Sequence, residues 1–146
     1  MTQKRVLLIN GPNLNLLGTR EPEIYGSTSL ETITSQLEQT LKVQEISLMS
    51  FQSNHEGEII DFIQQNSSTD YAIINLGALT HTSIAIYDVL KSTGLFFIEV
   101  HISNIYAREE YRKKSMISSI AQGIIIGCGI EGYDLAADLI IKRIAS

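Results

Sequence analysis

Residues 6–10 read VLLIN and residues 11–26 read GPNLNLLGTREPEIYG, a short apolar run that breaks into a long polar loop. Four consecutive branched aliphatics suit a strand buried on both faces. The loop stands where a phosphate-gripping turn would follow a first strand, yet it has no glycine-rich cradle. It carries Asn13, Asn15, Arg20 and Tyr25 instead, with Gly18 and Gly26 bracketing the last two. About fifteen residues exceed what a strand-to-helix connection normally needs, and loops of that length commonly act as lids. A charged arginine near a tyrosine favours the phenolate by Coulomb attraction, which makes a base without metal or cofactor.

The same pattern recurs along the chain. Residues 46–51, 71–76, 96–101 and 123–127 are further apolar runs with strand character. Between the first two strands, Thr28 and Glu31 have capping-box spacing, and Leu30, Ile33, Leu37 and Leu41 follow at helical intervals. Helices are also expected at 56–65, 83–91 and 132–145, the last ending in Lys142 and Arg143, where cations suit the helix dipole. Strict alternation implies an α/β fold: a doubly wound, flavodoxin-like parallel sheet of five strands, helices on both faces, and ligands at the carboxyl ends.

At 146 residues and 44% hydrophobic content, residues 1–146 are expected to form one domain. Lys4 and Arg5 precede only four apolar residues, so no signal peptide or membrane span is expected, and the location should be cytoplasmic. The single cysteine, Cys128, is expected to be buried and inert among isoleucines. A net charge of −5 without a basic run argues against nucleic acid or an anionic membrane as partner. An anionic small substrate would need a local cationic pocket.

Polar residues gather where the fold rule puts chemistry. All three histidines, His55, His81 and His101, follow or end a predicted strand. Glu99 and His101 are two apart on a strand, hence on one face, where the carboxylate can orient the imidazole as a general acid. Ser103 and Asn104 can cap a short helix whose backbone N–H groups accept an anion. Arg108 and Arg112, at i and i+4, would share one face of it. Two alternatives are weak. Residues 127–132 spell G-x-G-x-x-G, but no strand follows to carry a ribose-binding acid, so the glycines are read as serving a tight turn and close helix packing. A zinc site from His55, His81, His101 and Glu99 lacks any ligand motif.

The segments GPNLNLLGTREPEIYG (11–26), QSNHEGEIIDFI (52–63), NLGALTHTSIAIYD (75–88) and EVHISNIYAREEYRKKS (99–115) resemble the type II 3-dehydroquinate dehydratases over essentially the whole chain. The resemblance implies a flavodoxin-like domain assembled as trimers, usually four in a dodecamer. It implies conversion of 3-dehydroquinate to 3-dehydroshikimate and water, with no cofactor and no metal. Tyr25 would be the base, Arg20 would favour its phenolate, and His101, oriented by Glu99, would be the acid. Asn13 would hold a water that stabilises the enolate. The substrate carboxylate would sit on the N–H groups of Ile102 and Ser103, with Asn75, His81 and Arg112 on the ring oxygens, Arg108 closing the lid and Asp88 reaching in from a neighbouring subunit. Leu76, where that family usually has proline, and Tyr87, Phe96, Lys113, Lys114 and Met116 depart from the residues usual there. The competing class is a non-catalytic flavodoxin-like module that binds a flavin or nucleotide, or a receiver-type regulator.

Overall fold

The computed structural model describes residues 4–19, 21–68 and 70–146. Five parallel strands, β1 (Arg5–Asn10), β2 (Ser47–Gln52), β3 (Tyr71–Asn75), β4 (Phe96–His101) and β5 (Gly123–Ile126), form one sheet in the order β2-β1-β3-β4-β5. The chain winds outward from β1 to β2, then crosses back to β3. Since crossovers between parallel strands keep one hand, that reversal puts the helix before β2 on one face and the helices before β3 and β4 on the other.

The strands show why each face is apolar. On β1, Val6 and Leu8 point into one layer and Leu7 and Ile9 into the other, all fully buried. The first layer is closed by Ile33, Leu37 and Leu41 of α2 (Leu30–Val43) and by Tyr133, Ala136, Ala137 and Ile140 of α5 (Glu131–Ala145). The second is closed by Ile59 and Ile63 of α3 (Glu56–Asn66) and by Ile86, Val89 and Leu90 of α4 (Ile84–Thr93). A one-turn helix, α1 (Pro22–Tyr25), lies within the first loop, with proline in its first turn, where its missing N–H costs no helical bond.

Helix α2 begins one residue later than the capping box implies. Ser29, not Thr28, is the cap, its Oγ accepting from the Thr32 N–H at 3.2 Å. Cys128 is exposed rather than buried, because β5 is an edge strand that ends at Ile126 and the thiol falls in the turn between Gly127 and Gly129. The G-x-G-x-x-G run does serve the turn and the helix packing: a Cβ on Gly132 would stand 3.3 Å from Val100 Cγ1.

Candidate active site

Strands β1 and β3 are neighbours whose connections leave in opposite directions, and the crevice at such a switch point is where ligands bind in open α/β sheets. Their exits touch. The Gly11 N–H donates to the Asn75 carbonyl at 2.8 Å, and a Cβ on Gly11 would lie 2.1 Å from the Leu76 carbonyl oxygen, so only glycine permits this approach. A cleft of about 150 Å³ opens there, bounded by the loop after β1, the turn after β3 and the segment after β4.

The loop after β1 is held from below by β2. Gln52 Nε2 donates to the Gly11 carbonyl at 3.1 Å, and Asn54 Oδ1 accepts from the Asn13 N–H at 3.0 Å. Asn13 sits in the left-handed region at φ 70°, a conformation asparagine tolerates better than most residues, and lines the cleft. Beyond it, α1 turns Tyr25 into the cleft, half-buried. Arg108 Nη1 donates to the Tyr25 hydroxyl oxygen at 2.7 Å, and its guanidinium carbon lies 5.4 Å from the ring centre. Arg20, the cation expected beside this tyrosine, lies outside the described residues.

Strand β4 supplies the second reactive group. His101 lines the cleft and pairs through Nε2 with Glu99 Oε2 at 2.5 Å, as their shared face implies. Glu99 is 1% exposed. Burial pushes its carboxyl up, but bonds from His101, Ser118 and Ser115 and attraction to His101 together hold it below the ordinary carboxylate value. A carboxylate is only an acceptor, so the His101 nitrogen facing it carries a proton, leaving Nδ1 for the cleft.

His81 comes from the turn after β3, its ring stacked 6.3 Å from that of His101. Burial pushes its imidazole below the usual value, and His101 and Arg112 add to that, against the opposite pull of the Lys114 carbonyl and Glu99. Neutral His81 donates from Nδ1 to the Lys114 carbonyl at 2.7 Å, which leaves Nε2 as an acceptor. Lys114 acts here through its backbone, so its side chain is immaterial to this contact.

Arg108 and Arg112 do not share a helix face. Two separate 3-10 turns, Ile105–Ala107 and Glu110–Arg112, replace the expected helix, because Arg108 between them is extended at φ −111°, ψ −164°. Both still line the cleft; Arg112 is braced by Glu109, which accepts from its Nε at 2.6 Å. The Asn104 side chain caps the first turn, accepting from the Tyr106 N–H at 3.1 Å, and Ile102 and Ser103 form the adjoining wall.

Asn75 lines the cleft but is 4% exposed, and its amide already has partners. Nδ2 donates to the Tyr133 hydroxyl at 3.0 Å, Oδ1 accepts from the Gly77 N–H at 3.1 Å, and Tyr133 donates on to Asn10 Oδ1 at 2.6 Å. A buried polar group left unpaired costs about 1–3 kcal/mol, so the Tyr133 hydroxyl sets the orientation of both asparagines. Ser115, Ser118 and Tyr133 are the site residues that sequence reading missed. Leu76, at φ −80°, takes a backbone angle within proline's reach, so its departure leaves the turn unchanged.

Asp88 is absent from the cleft. It is exposed on α4 and borders a separate shallow hollow with Ile60, Gln64 and Ser92. Among the described residues, no three His, Cys, Asp or Glu side chains group as metal ligands, and no helix is long and apolar enough to cross a membrane.

The description "dehydroquinase class II" belongs to the family whose profile matches residues 4–141. A 3-dehydroquinate dehydratase of Polynucleobacter asymbioticus is 54% identical over 141 residues, 95% of this chain and 95% of that protein. The crystal structure of a type II dehydroquinase from Propionibacterium acnes superposes with a TM-score of 0.91 at 37% identity, over 97% of this chain and 98% of its own. The corresponding structure from Butyrivibrio crossotus gives 0.90 at 45% identity, over 94% and 97%. Placed over a cleft lined by Tyr25, His81 and His101, these matches have one reading: the chain belongs to the class II dehydroquinase family.

Proposed function

We propose that the chain is a 3-dehydroquinate dehydratase that removes water from 3-dehydroquinate by anti elimination to give 3-dehydroshikimate. One observation carries the reading: a phenol and an imidazole converge on one cleft from different strand ends. Such a pair can serve opposite faces of a ring, one as base and one as acid.

In this reading the Tyr25 phenolate takes the C2 proton beside the ketone and becomes a phenol, and fixed donors stabilise the phenolate before the transfer and the enolate after it. Arg108 is such a donor on the phenol oxygen, and Arg20 is assigned the same task. Asn13 holds a water against the enolate. His101, its Nε2 proton held by Glu99, gives a second proton, carried on Nδ1, to the departing C1 hydroxyl, which leaves as water. Ile102 and Ser103 receive the substrate carboxylate on their N–H groups, Arg112 and the acceptor nitrogen of His81 meet the ring oxygens, and Asn75 adds what its partners leave. No step requires a cofactor or metal. The test is a single assay: purified protein with 3-dehydroquinate should raise the ultraviolet absorbance of the conjugated enone at about 1–10³ turnovers per second, within the usual enzymatic range. A protein that leaves dehydroquinate unchanged and is yellow as purified would be a flavin-binding module instead.

The finer assignments concern assembly. We take residues 1–146 as one catalytic domain, cytoplasmic, assembled as trimers into a dodecamer. The exposed Asp88 supports this, since a carboxylate outside its own cleft can reach a neighbour's across a cyclic interface. Mixed and reassembled Tyr25→Phe and Asp88→Ala subunits should recover about a quarter of wild-type activity, because one of four random pairings restores a complete site. Hybrid oligomers, verified by native mass spectrometry, that show only the sum of the two residual activities would confine Asp88 to its own subunit.

A further inference from the structure

Between the 3-10 turns Glu110–Arg112 and Ser118–Ile120 runs a short irregular stretch that no reaction step above uses. It nevertheless touches the machinery of both cleft histidines. Its Lys114 carbonyl fixes His81, as described. Its Ser115, together with Ser118 at the start of the second turn, goes to the carboxylate behind His101: Ser115 Oγ donates to Glu99 Oε2 at 2.9 Å, and Ser118 Oγ donates to Glu99 Oε1 at 2.6 Å.

A serine hydroxyl has one proton to give. The lone pairs of Ser115 Oγ accept from the Ile117 N–H at 3.2 Å and the Ser118 N–H at 3.1 Å, so its proton is directed at Glu99. The stretch itself is anchored. The Met116 N–H donates to the Thr80 carbonyl at 2.8 Å, and Ile117 is fully buried in the core layer shared with α3 and α4. Both hydroxyls therefore approach Glu99 from a backbone that the core holds in place.

We propose that Ser115 and Ser118 are positioning residues for the elimination: their hydroxyls fix the Glu99 carboxylate, and through it the His101 imidazole, in the geometry that delivers a proton to the leaving oxygen. The proposal rests on the acid role assigned to His101 above. A carboxylate offers about four lone-pair sites, and here three are taken, one by His101 and two by the serines. Without the serines, Glu99 would keep one partner in a setting where burial disfavours its charge. The charged or titratable groups facing it are His101 on its own strand and His81 from the turn after β3, with Arg112 acting on His81. The neighbours in register, Ile74 on β3 and Ile124 on β5, are apolar and can replace neither hydroxyl. A carboxyl that gains a proton no longer holds the imidazole proton facing it.

The test compares Ser115→Ala/Ser118→Ala, the two single variants and Ser118→Thr with wild type and His101→Ala. Three quantities are read: enone formation, exchange of the substrate C2 proton with D2O by NMR, and the titration of a ¹³C-labelled Glu99 carboxyl. The double variant should lose at least about tenfold in kcat, with KM and C2 exchange changed less than about threefold, because the serines act through the acid and not the base. Its Glu99 carboxyl should titrate at higher pH than in wild type. Each single alanine variant should fall between, which keeps the test open if the double variant does not fold, and Ser118→Thr should restore turnover. If His101→Ala keeps exchange but loses elimination, while the serine variants match wild type in both that ratio and the Glu99 titration, the serines position nothing and the proposal is overturned. If His101→Ala loses exchange and elimination alike, the acid role of His101 is overturned, and the proposal with it.

Discussion

Tyr25→Phe will lower kcat by at least about 10²-fold and leave the fold intact, since general base catalysis typically contributes 10²- to 10⁴-fold. The ring stays. It keeps its place under the Arg108 guanidinium, 5.4 Å from the ring centre, so the wall of the cleft is preserved. What disappears is the oxygen that accepts from Arg108 at 2.7 Å and would take the C2 proton. Losing this partly exposed hydrogen bond from a charged donor should cost no more than about 3 kcal/mol of folding stability. Steady-state kinetics paired with thermal unfolding checks both halves. Turnover within tenfold of wild type in a folded protein would remove Tyr25 from the mechanism.

The second large effect is selective. His101→Ala should lower elimination by at least about 10²-fold, the usual contribution of a positioned acid, while exchange at C2 falls less than about tenfold. The base and the acid stand on different elements, α1 and β4, and the alanine variant leaves Tyr25 and Arg108 in place. An enolate formed without a proton donor for the leaving oxygen returns to substrate and carries solvent deuterium with it. Equal losses of exchange and elimination would mean a concerted step or a purely structural histidine.

How far the sequence reached depends on the range of the interaction concerned. Strands and helices follow from local periodicity, and five strands and four long helices lie where the apolar spacing places them, within two residues. Glu99 and His101 were legible because a strand's alternation is local; the 2.5 Å contact between them follows from a separation of two residues. The i, i+4 reading of Arg108 and Arg112 failed for the complementary reason. It assumed a helix, whereas capping by Asn104 and the extended backbone at Arg108 break the segment into two turns that still deliver both guanidinium groups to the cleft. Cys128 was misplaced because a run of isoleucines does not reveal that its strand lies at the sheet edge.

The hydroxyls that organise the site were invisible to such reasoning. Ser115 and Ser118 reach Glu99 from 16 and 19 residues away, and Tyr133 links Asn10 and Asn75 across 123 and 58. No periodicity encodes a partner at that distance; the fold must first bring α5 under β1 and β3. Even so, a tyrosine within the glycine-marked start of α5, among alanines and leucines, was a signal: a buried phenol needs a partner for its hydroxyl.

The central claim, that a loop tyrosine removes the C2 proton and the Glu99-supported histidine completes the loss of water, is tested most directly by deuterium wash-in. 3-Dehydroquinate in D2O is followed by ¹H NMR with wild type, Tyr25→Phe and His101→Ala in parallel. The account predicts loss of the C2 proton signal without product growth for His101→Ala, and loss of neither substrate signal nor substrate for Tyr25→Phe on the same timescale. Wash-in by Tyr25→Phe at the wild-type rate would contradict it, because the proton would then leave to another base.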